Sequence, residues 1–288
     1  MQGLPFLLVI LSAAAHGYWN FLFKRAYDKD AFLGLSKLAE PVIYAIPFAF
    51  AVARWGLPLD ALWFAAVGTL LAVANYVCLA NSYKRLDLTI AYPVSRASTI
   101  FLPFLAFLFF GERIDGVGWA SVICVTAGVL VIQLRSFRPS RPALRMDGAG
   151  WGFALAVLAA FTVALYTLWG KEAVRHIHPF IYMYCYTLAS NAYFIPSLRR
   201  LERGAVRREW SLNKWRILAV ATLNTLSFVL MLFALNLGKV TYVGALRQIS
   251  LVVGVGLGWF MLREQVTLPR AVGVALIIVG ACLTYVAR

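Results

Sequence analysis

The chain contains two copies of one pattern, and each copy has an odd number of apolar segments. The motif Tyr-x-Ile-Pro at residues 44–47 recurs at residues 193–196. Beyond residue 63 the two halves align without a gap at a shift of 152 residues, so that Glu112 matches Glu264 (112 + 152 = 264). Each half holds five apolar segments. A membrane-crossing unit with five spans is inverted when it is copied in tandem, so the second half should run opposite to the first.

The composition indicates an integral membrane protein. The 288 residues are 62% hydrophobic and only 14% charged, whereas soluble domains carry about 25% charged residues. Ten windows are long and apolar enough to cross a bilayer: 4–23, 32–53, 61–82, 88–110, 116–134, 150–170, 178–198, 215–236, 241–262 and 268–286. Uniform apolarity without alternation favours helices over barrel strands.

The predicted fold is therefore all-α, with ten transmembrane helices arranged as two inverted five-helix repeats. Residues 1–134 form the first repeat, 135–149 a basic linker, and 150–288 the second repeat. Inverted repeats are a construction of secondary transporters, in which the substrate site lies in a cavity between the halves. With both repeats in one chain, a monomer is plausible.

The net charge of +15 does not indicate a nucleic-acid partner, because almost all of the Lys and Arg residues lie in short links between spans. The links on the side of Lys24, Lys84 and Arg263 carry the larger share. Cytoplasmic links hold the excess of positive charge. The sequence thus predicts a multi-pass protein of the cell inner (plasma) membrane with both termini periplasmic or extracellular.

The cysteines indicate no metal site. Cys78, Cys124, Cys185 and Cys282 all lie inside predicted spans, without the spacing of metal ligands, and buried packing is their expected role. No metal or cofactor is predicted.

Two arginines lie inside predicted spans, Arg96 in the fourth and Arg247 in the ninth. A charge in the bilayer costs several kcal/mol, so each should face a cavity or a partner. A guanidinium binds a carboxylate with two parallel hydrogen bonds, which suits a substrate carboxylate. The alternative is structural, since either side chain could bond backbone carbonyls or extend to the interface.

A repeated glutamate marks the link between the last two spans of each half. The first half reads Gly111-Glu112-Arg113 and the second Arg263-Glu264-Gln265, and the first span of each half is followed closely by Lys24 or Lys171. This duplicated pattern resembles the drug/metabolite transporter superfamily, in its ten-helix EamA-type branch, over the whole chain. Within that branch the chain resembles, by general similarity, the YddG-type exporters of aromatic amino acids. The resemblance implies a central cavity lined by spans 1, 3, 4, 6, 8 and 9, with spans 5 and 10 as braces.

The first span lacks an acidic proton carrier. In the small multidrug-resistance relatives, a buried glutamate stands eight residues before the lysine that ends helix 1, and here that position is His16, with Val163 at the matching place in the second half. Glu40 is an acid well inside a span, and Lys37 three residues earlier predicts an internal ion pair. Proton coupling is therefore doubtful, and facilitated transport down a gradient is the simpler expectation.

Apolar walls with a few polar groups suit a small amphipathic solute. Aromatic residues near span ends also anchor membrane proteins at the interface, and this remains the alternative for several of them. The predicted substrate-binding residues are His16, Trp19, Asn20, Asn75, Tyr76, Tyr92, Ser95, Arg96, Tyr166, Trp169, Asn224, Tyr242, Arg247 and Gln248.

Spans 4 and 9 contain helix-interrupting residues. Pro93 and Pro103 lie in the fourth, and Gly244 and Gly254 in the ninth. Proline removes a backbone donor and frees a carbonyl. These two spans are predicted to move during transport, although tight packing without motion is the alternative.

The sequence favours a transporter that exports amino acids, aromatic or otherwise apolar, or related small metabolites. A proton-coupled drug or metabolite efflux antiporter is one alternative, and a membrane-embedded enzyme is another. An enzyme is disfavoured because His16, His176 and His178 form no metal or catalytic motif.

Overall fold

A computed structural model describes residues 1–134, 148–199 and 201–287. Within these ranges the regular structure is helical, without strands. The predicted linker 135–149 lies outside the described residues except for its last two positions. The helices are α1 Leu4–Phe23, α2 Lys29–Trp55, α3 Asp60–Tyr83, α4 Leu88–Arg96, α5 Ser98–Phe110, α6 Gly116–Leu134, α7 Ala149–His176, α8 Pro179–Arg199, α9 Arg203–Leu237, α10 Val240–Leu246, α11 Ile249–Leu262 and α12 Leu268–Val286.

The helices agree with the predicted all-α membrane fold. In the described part of the chain, nine stretches are long and apolar enough to cross a membrane, two of which join α4 to α5 and α10 to α11. The predicted span 178–198 is α8, a helix of 21 residues that falls outside this set.

The predicted spans 88–110 and 241–262 are each divided into two helices, as their helix-interrupting residues suggested, but the breaks lie at other residues. The first break lies at Ala97, whose N–H donates to the carbonyl of Val94 at 3.1 Å, and the second follows Leu246, where Gln248 donates to Ala245 at 3.1 Å. Both are bonds to the third residue back, which tighten and end an α-helix. Pro103 lies inside an unbroken α5, so the predicted interruption occurs at other residues than the proline.

Helix α9 is longer than predicted. The predicted span 215–236 begins earlier in the structure: the hydrophilic stretch before it is helical from Arg203, and α9 has 35 residues. Glu209 is fully buried there and accepts hydrogen bonds from the Asp28 N–H at 2.8 Å and the Asn213 amide at 2.6 Å. The polar face of this extension docks on the α1–α2 turn, which keeps the segment helical.

The halves pack across each other with the symmetry expected of an inverted repeat. Helix α1 packs on α9 and α3 on α7, while α2 packs on α8 and α6 on α12. Each of these contacts joins the two repeats. When every helix is replaced by its equivalent in the other repeat, the α1–α9 contact becomes the α7–α3 contact, so these two are equivalent. The cores of the two repeats are therefore one interdigitated structure.

Helices α6 and α12 form the tightest of these contacts through glycine. A Cβ on Gly128 would lie 2.7 Å from the Gly273 carbonyl oxygen, and one on Gly280 would lie 3.0 Å from that of Ser121. The Ser121 hydroxyl also donates to the Gly280 carbonyl at 2.8 Å. Small residues allow two membrane helices to approach closely, and α6 and α12 act as the predicted brace.

Candidate functional site: a central cavity and its two ends

A cavity of about 320 Å³ lies where the two broken spans meet. Its wall includes the residues that flank both breaks: Ser95, Arg96, Ser98, Arg247, Gln248 and Ser250. Its other walls come from α1, α3, α7 and α9, so the six spans that the family resemblance implies all contribute. Broken helices that meet at such a cavity are typical of transporter binding sites.

The cavity continues toward the end of the molecule that carries Lys24, which we call the Lys24 end. A second volume of about 280 Å³ shares His16, Arg96 and Gln248 with the inner cavity. Its outer wall includes Glu264 and Arg270, at the ends of α11 and α12. This second volume is the mouth of the cavity.

The opposite end, which carries Lys171, is closed below the cavity. Leu102 of α5 packs against Gly244 of α10 so closely that a Cβ on Gly244 would overlap the leucine Cδ1. Both residues line the inner cavity, and they form its floor. The half-helices α5 and α10 are therefore in direct contact at the Lys171 end.

Two lysine–glutamate pairs, one at each end, connect the repeats. Glu112 accepts from Lys171 at 3.1 Å and from the Val240 N–H at 3.0 Å, and its side chain is only 9% exposed. Glu264 pairs with Lys24 at the other end, where the lysine side chain is 58% exposed. The two pairs are equivalent under the repeat, but only the pair at the Lys171 end is buried.

The turn before each glutamate explains the duplicated motif. Gly111 ends α5 in the left-handed conformation (φ 65°), and Arg263 ends α11 in the same conformation (φ 54°). Each turn lets the next N–H reach back six residues, from Glu112 to Ala106 and from Glu264 to Gly258, both at 3.2 Å. These are helix ends closed by a residue in the left-handed conformation, and they point each glutamate back toward the other repeat.

Arg96 and Arg247 both face the cavity but at different depths. Arg96 is exposed and lines both mouth and inner cavity, whereas Arg247 is half-buried and lines the inner cavity alone. Arg96 lies over the ring of Tyr92 at 5.1 Å, and Arg247 contacts the Met231 sulfur. Among the described residues, neither guanidinium forms an ion pair.

His16 is held as a hydrogen-bond acceptor on one side of its ring. Its Nδ1 accepts from the Trp19 indole at 3.2 Å, and its carbonyl accepts from the Asn20 amide at 2.7 Å. The ring lines both the inner cavity and the mouth. Because Nδ1 accepts, the neutral ring carries its proton on Nε2.

The structure brings ten of the fourteen predicted site residues to the cavity or its mouth: His16, Asn20, Asn75, Tyr76, Tyr92, Ser95, Arg96, Tyr166, Arg247 and Gln248. Their role in substrate binding remains a prediction. Asn75 also joins the halves, since its amide donates to the Ala159 carbonyl at 2.7 Å.

The other four predicted residues lie elsewhere. Trp19 supports His16, and Trp169 donates to the Phe64 carbonyl at 2.8 Å. Asn224 donates to Glu40 at 2.7 Å, and Tyr242 is buried beside a groove at the Lys171 end. Sequence position alone could not distinguish these faces, because it does not show which side of each helix packs against a neighbour.

Several cavity residues were not predicted as site residues. They are Leu79, Ser98, Leu102, Val163, Thr167, Met231, Gly244 and Ser250. Ser98 and Ser250 match under the repeat (98 + 152 = 250) and flank the two breaks, so the repeat itself was the signal that could have found them.

The predicted ion pair of span 2 is present. Lys37 donates to Glu40 at 2.9 Å, and Glu40, 2% exposed, also accepts from Asn224. The carboxylate is thus satisfied between α2 and α9, away from the cavity lining.

His176 and His178 lie at the Lys171 end and serve packing. His176 bonds Glu172 at 2.9 Å, while His178 stacks on the Trp55 ring at 3.9 Å. Burial lowers the pKa of His178, which lies in the link between α7 and α8. The described chain contains no cluster of His, Cys, Asp and Glu able to hold a metal ion.

Two inverted five-span repeats around a cavity at two broken helices define a membrane transporter of the inverted-repeat class. The chain belongs to the EamA-like transporter family, whose model matches residues 3–134 and 150–286. The predicted EamA-type resemblance is confirmed, whereas the narrower likeness to aromatic amino-acid exporters remains a prediction.

The fold is shared with solved structures. A structure titled only "Crystal structure of protein" superposes with a TM-score of 0.78 at 16% identity, covering 99% of this chain and 98% of that one. This likeness concerns the fold alone. No curated protein matches the chain.

Proposed function

We propose that the protein is an alternating-access transporter that exports amino acids, aromatic or otherwise apolar, or related small metabolites across the inner membrane. The observation that carries the proposal is the asymmetry of two equivalent ends. At the Lys171 end the ion pair is buried and Leu102 packs on Gly244, while at the Lys24 end the equivalent ion pair is exposed and the cavity has a mouth.

The direction of export follows from the charge of the links. The Lys24 end carries more Lys and Arg than the other and is cytoplasmic by the positive-inside rule. The cavity then loads from the cytoplasm in this conformation. Solute leaves when the mouth closes and the Lys171 end opens.

Transport down the solute gradient, without protons, agrees with the acids near the path. In the described part of the cavity, the inner wall contains neither Asp nor Glu, and Glu264 at the mouth is paired with Lys24. Glu40 is engaged by Lys37 and Asn224. A carboxylate that is already neutralised by a lysine is a poor proton carrier.

The test is counterflow of a labelled amino-acid panel into liposomes that contain the purified protein. We expect exchange that an imposed pH gradient does not change. Protein-free liposomes and the double variant Arg96→Gln/Arg247→Gln are the controls. Absence of counterflow for the whole panel would refute the proposed function.

Proton-coupled efflux is the second candidate, and the observation in its favour is that Glu40 is a carboxylate buried inside a span. It predicts accumulation driven by a pH gradient and loss of this accumulation in Glu40→Gln. If transport is facilitated, Glu40→Gln lowers the stability of the protein, and its counterflow still does not respond to the pH gradient.

A further inference from the structure

The inner cavity contains an unbalanced positive charge. Arg96 and Arg247 both line it, and among the residues the structure describes no acidic side chain does. Glu264, which lines the mouth, is bound to Lys24 and lies 3.9 Å from Arg270. The charge of the two cavity arginines is therefore not neutralised by the protein.

Serine hydroxyls add hydrogen-bond donors to this lining. Helices α5 and α11 begin at the breaks, and their first turns place Ser98 and Ser250 in the cavity wall. The C-terminal ends of α4 and α10 lie at the same breaks and oppose the N-terminal ends of α5 and α11, so the hydroxyls rather than the helix dipoles are what the breaks offer to an anion. The lining thus offers cationic and hydroxyl groups to an anion from both repeats.

The two arginines lie at different depths of the cavity. This arrangement suits a solute with two anionic groups better than a solute with one. Arg96 belongs to both the mouth and the inner cavity, while Arg247 belongs only to the inner cavity, beside Met231. They also come from opposite repeats. A single carboxylate bound by one arginine would leave the other without a counter-charge.

We propose that the cavity binds a solute with two separated carboxylates, one for Arg96 and one for Arg247, in preference to a zwitterion of similar size. This inference rests on the proposed function, in that the cavity is taken as the transport site, and among the solutes of that proposal it favours dianionic small metabolites over the zwitterionic amino acids. An ammonium group would meet two arginines and no carboxylate in the inner cavity. A dicarboxylate removes both unpaired charges and uses the bidentate geometry of each guanidinium.

The experiment measures binding and transport separately on the intact protein. Binding of succinate, its monoamide succinamate and phenylalanine is measured by titration calorimetry in detergent, and counterflow of the same solutes in liposomes. Succinamate keeps the length of succinate but has one charge fewer. We expect succinate to bind at least about tenfold more tightly than either of the other two.

Substitutions at Arg96 and Arg247 test whether each arginine binds one of the two carboxylates. Arg96→Gln and Arg247→Gln should each reduce the preference for succinate over succinamate to less than about twofold. Arg96→Lys and Arg247→Lys should retain part of it. Arg54→Gln, at an exposed arginine at the end of α2, is the matched control and should keep the full preference.

The outcomes separate the inference from the proposed function. Equal or tighter binding of phenylalanine or succinamate, or no binding of any of the three, would overturn the dicarboxylate site. Counterflow of phenylalanine with no preference for succinate would overturn it while upholding amino-acid transport. Selective binding of succinate without counterflow would uphold the site and count against transport.

Discussion

At the scale of single residues, the contact between Leu102 and Gly244 seals the floor of the cavity. The half-helices approach so closely that any side chain at 244 meets the leucine. The atom met is the terminal Cδ1 of Leu102, which can change rotamer, so we expect Gly244→Ala to destabilise the closed Lys171 end by about 1 kcal/mol, the lower end of the usual cost of overpacking. The measurement is the melting temperature of the purified protein together with its counterflow rate.

Two further variants distinguish a local clash from a general effect of alanine. Gly256→Ala, in α11, adds a Cβ with no neighbour within 4 Å and should behave like the parent protein. Leu102→Ala combined with Gly244→Ala should recover stability relative to the sum of the single changes. Simple additivity would contradict the contact.

Arg263 is a second residue at which a substitution should change stability, here through the backbone conformation. It ends α11 with φ 54°, the only positive φ at a non-glycine residue among those described. The equivalent position in the first repeat is Gly111, with φ 65°. The left-handed conformation costs an L-residue roughly 1–2 kcal/mol. We expect Arg263→Gly to stabilise the protein by about 1 kcal/mol and Gly111→Ala to destabilise it, as measured by thermal unfolding in detergent; a melting temperature lowered by Arg263→Gly would contradict the strain.

At the scale of elements, the α6–α12 pair depends on backbone contact. A Cβ on Gly128 would meet the Gly273 carbonyl oxygen at 2.7 Å and the Ile277 nitrogen at 3.0 Å, neither of which can move without the helix. We expect Gly128→Ala to cost about 1–3 kcal/mol, measured as a lower melting temperature. Gly116→Ala, at the start of the same helix and in open space, is the control. Equal melting temperatures for the two variants would contradict the contact.

The sequence predicts these elements well but not their interruptions. Hydropathy and the odd repeat were sufficient for the spans and for their inverted pairing. The sequence pointed to the wrong residues for the breaks, which lie at Ala97 and Arg247. Pro93 and the glycines of span 9 are local signals, whereas the positions of the breaks depend on how the helices pack around the cavity. Asn224 was predicted as a site residue for the same reason, since only the packing of α2 on α9 reveals that it bonds Glu40.

At the scale of the whole molecule, the buried Lys171–Glu112 pair holds the closed end. Lys171→Met leaves the Glu112 carboxylate, only 9% exposed, with the Val240 N–H as its partner, and we expect a cost of about 1–3 kcal/mol. Lys24→Met breaks the exposed equivalent, worth about 0–1 kcal/mol. We expect a larger loss of thermal stability and transport from Lys171→Met. The double variant Lys171→Glu/Glu112→Lys should restore part of the loss, and no rescue together with equal effects of the two single changes would contradict the role of the pair.

The repeat also predicts the conformation in which the mouth is closed. Under the shift of 152 residues, Leu102 corresponds to Gly254, and Tyr92 corresponds to Gly244 (92 + 152 = 244). Tyr92 and Gly254 now both line the mouth, and a Cβ on Gly254 would have no neighbour within 4 Å. If the repeats exchange conformations, Tyr92 of α4 must close onto Gly254 of α11, as Leu102 now closes onto Gly244.

Two cysteine pairs test this exchange, in a background where the four native cysteines are replaced. Leu102→Cys/Gly244→Cys should cross-link the present conformation, and Tyr92→Cys/Gly254→Cys should cross-link the opposite one. Each oxidised pair should stop counterflow and reductant should restore it, because either lock leaves the cavity open to one side only. A first pair that cross-links and a second that never does would mean that the mouth does not close, which would contradict alternating access by this chain.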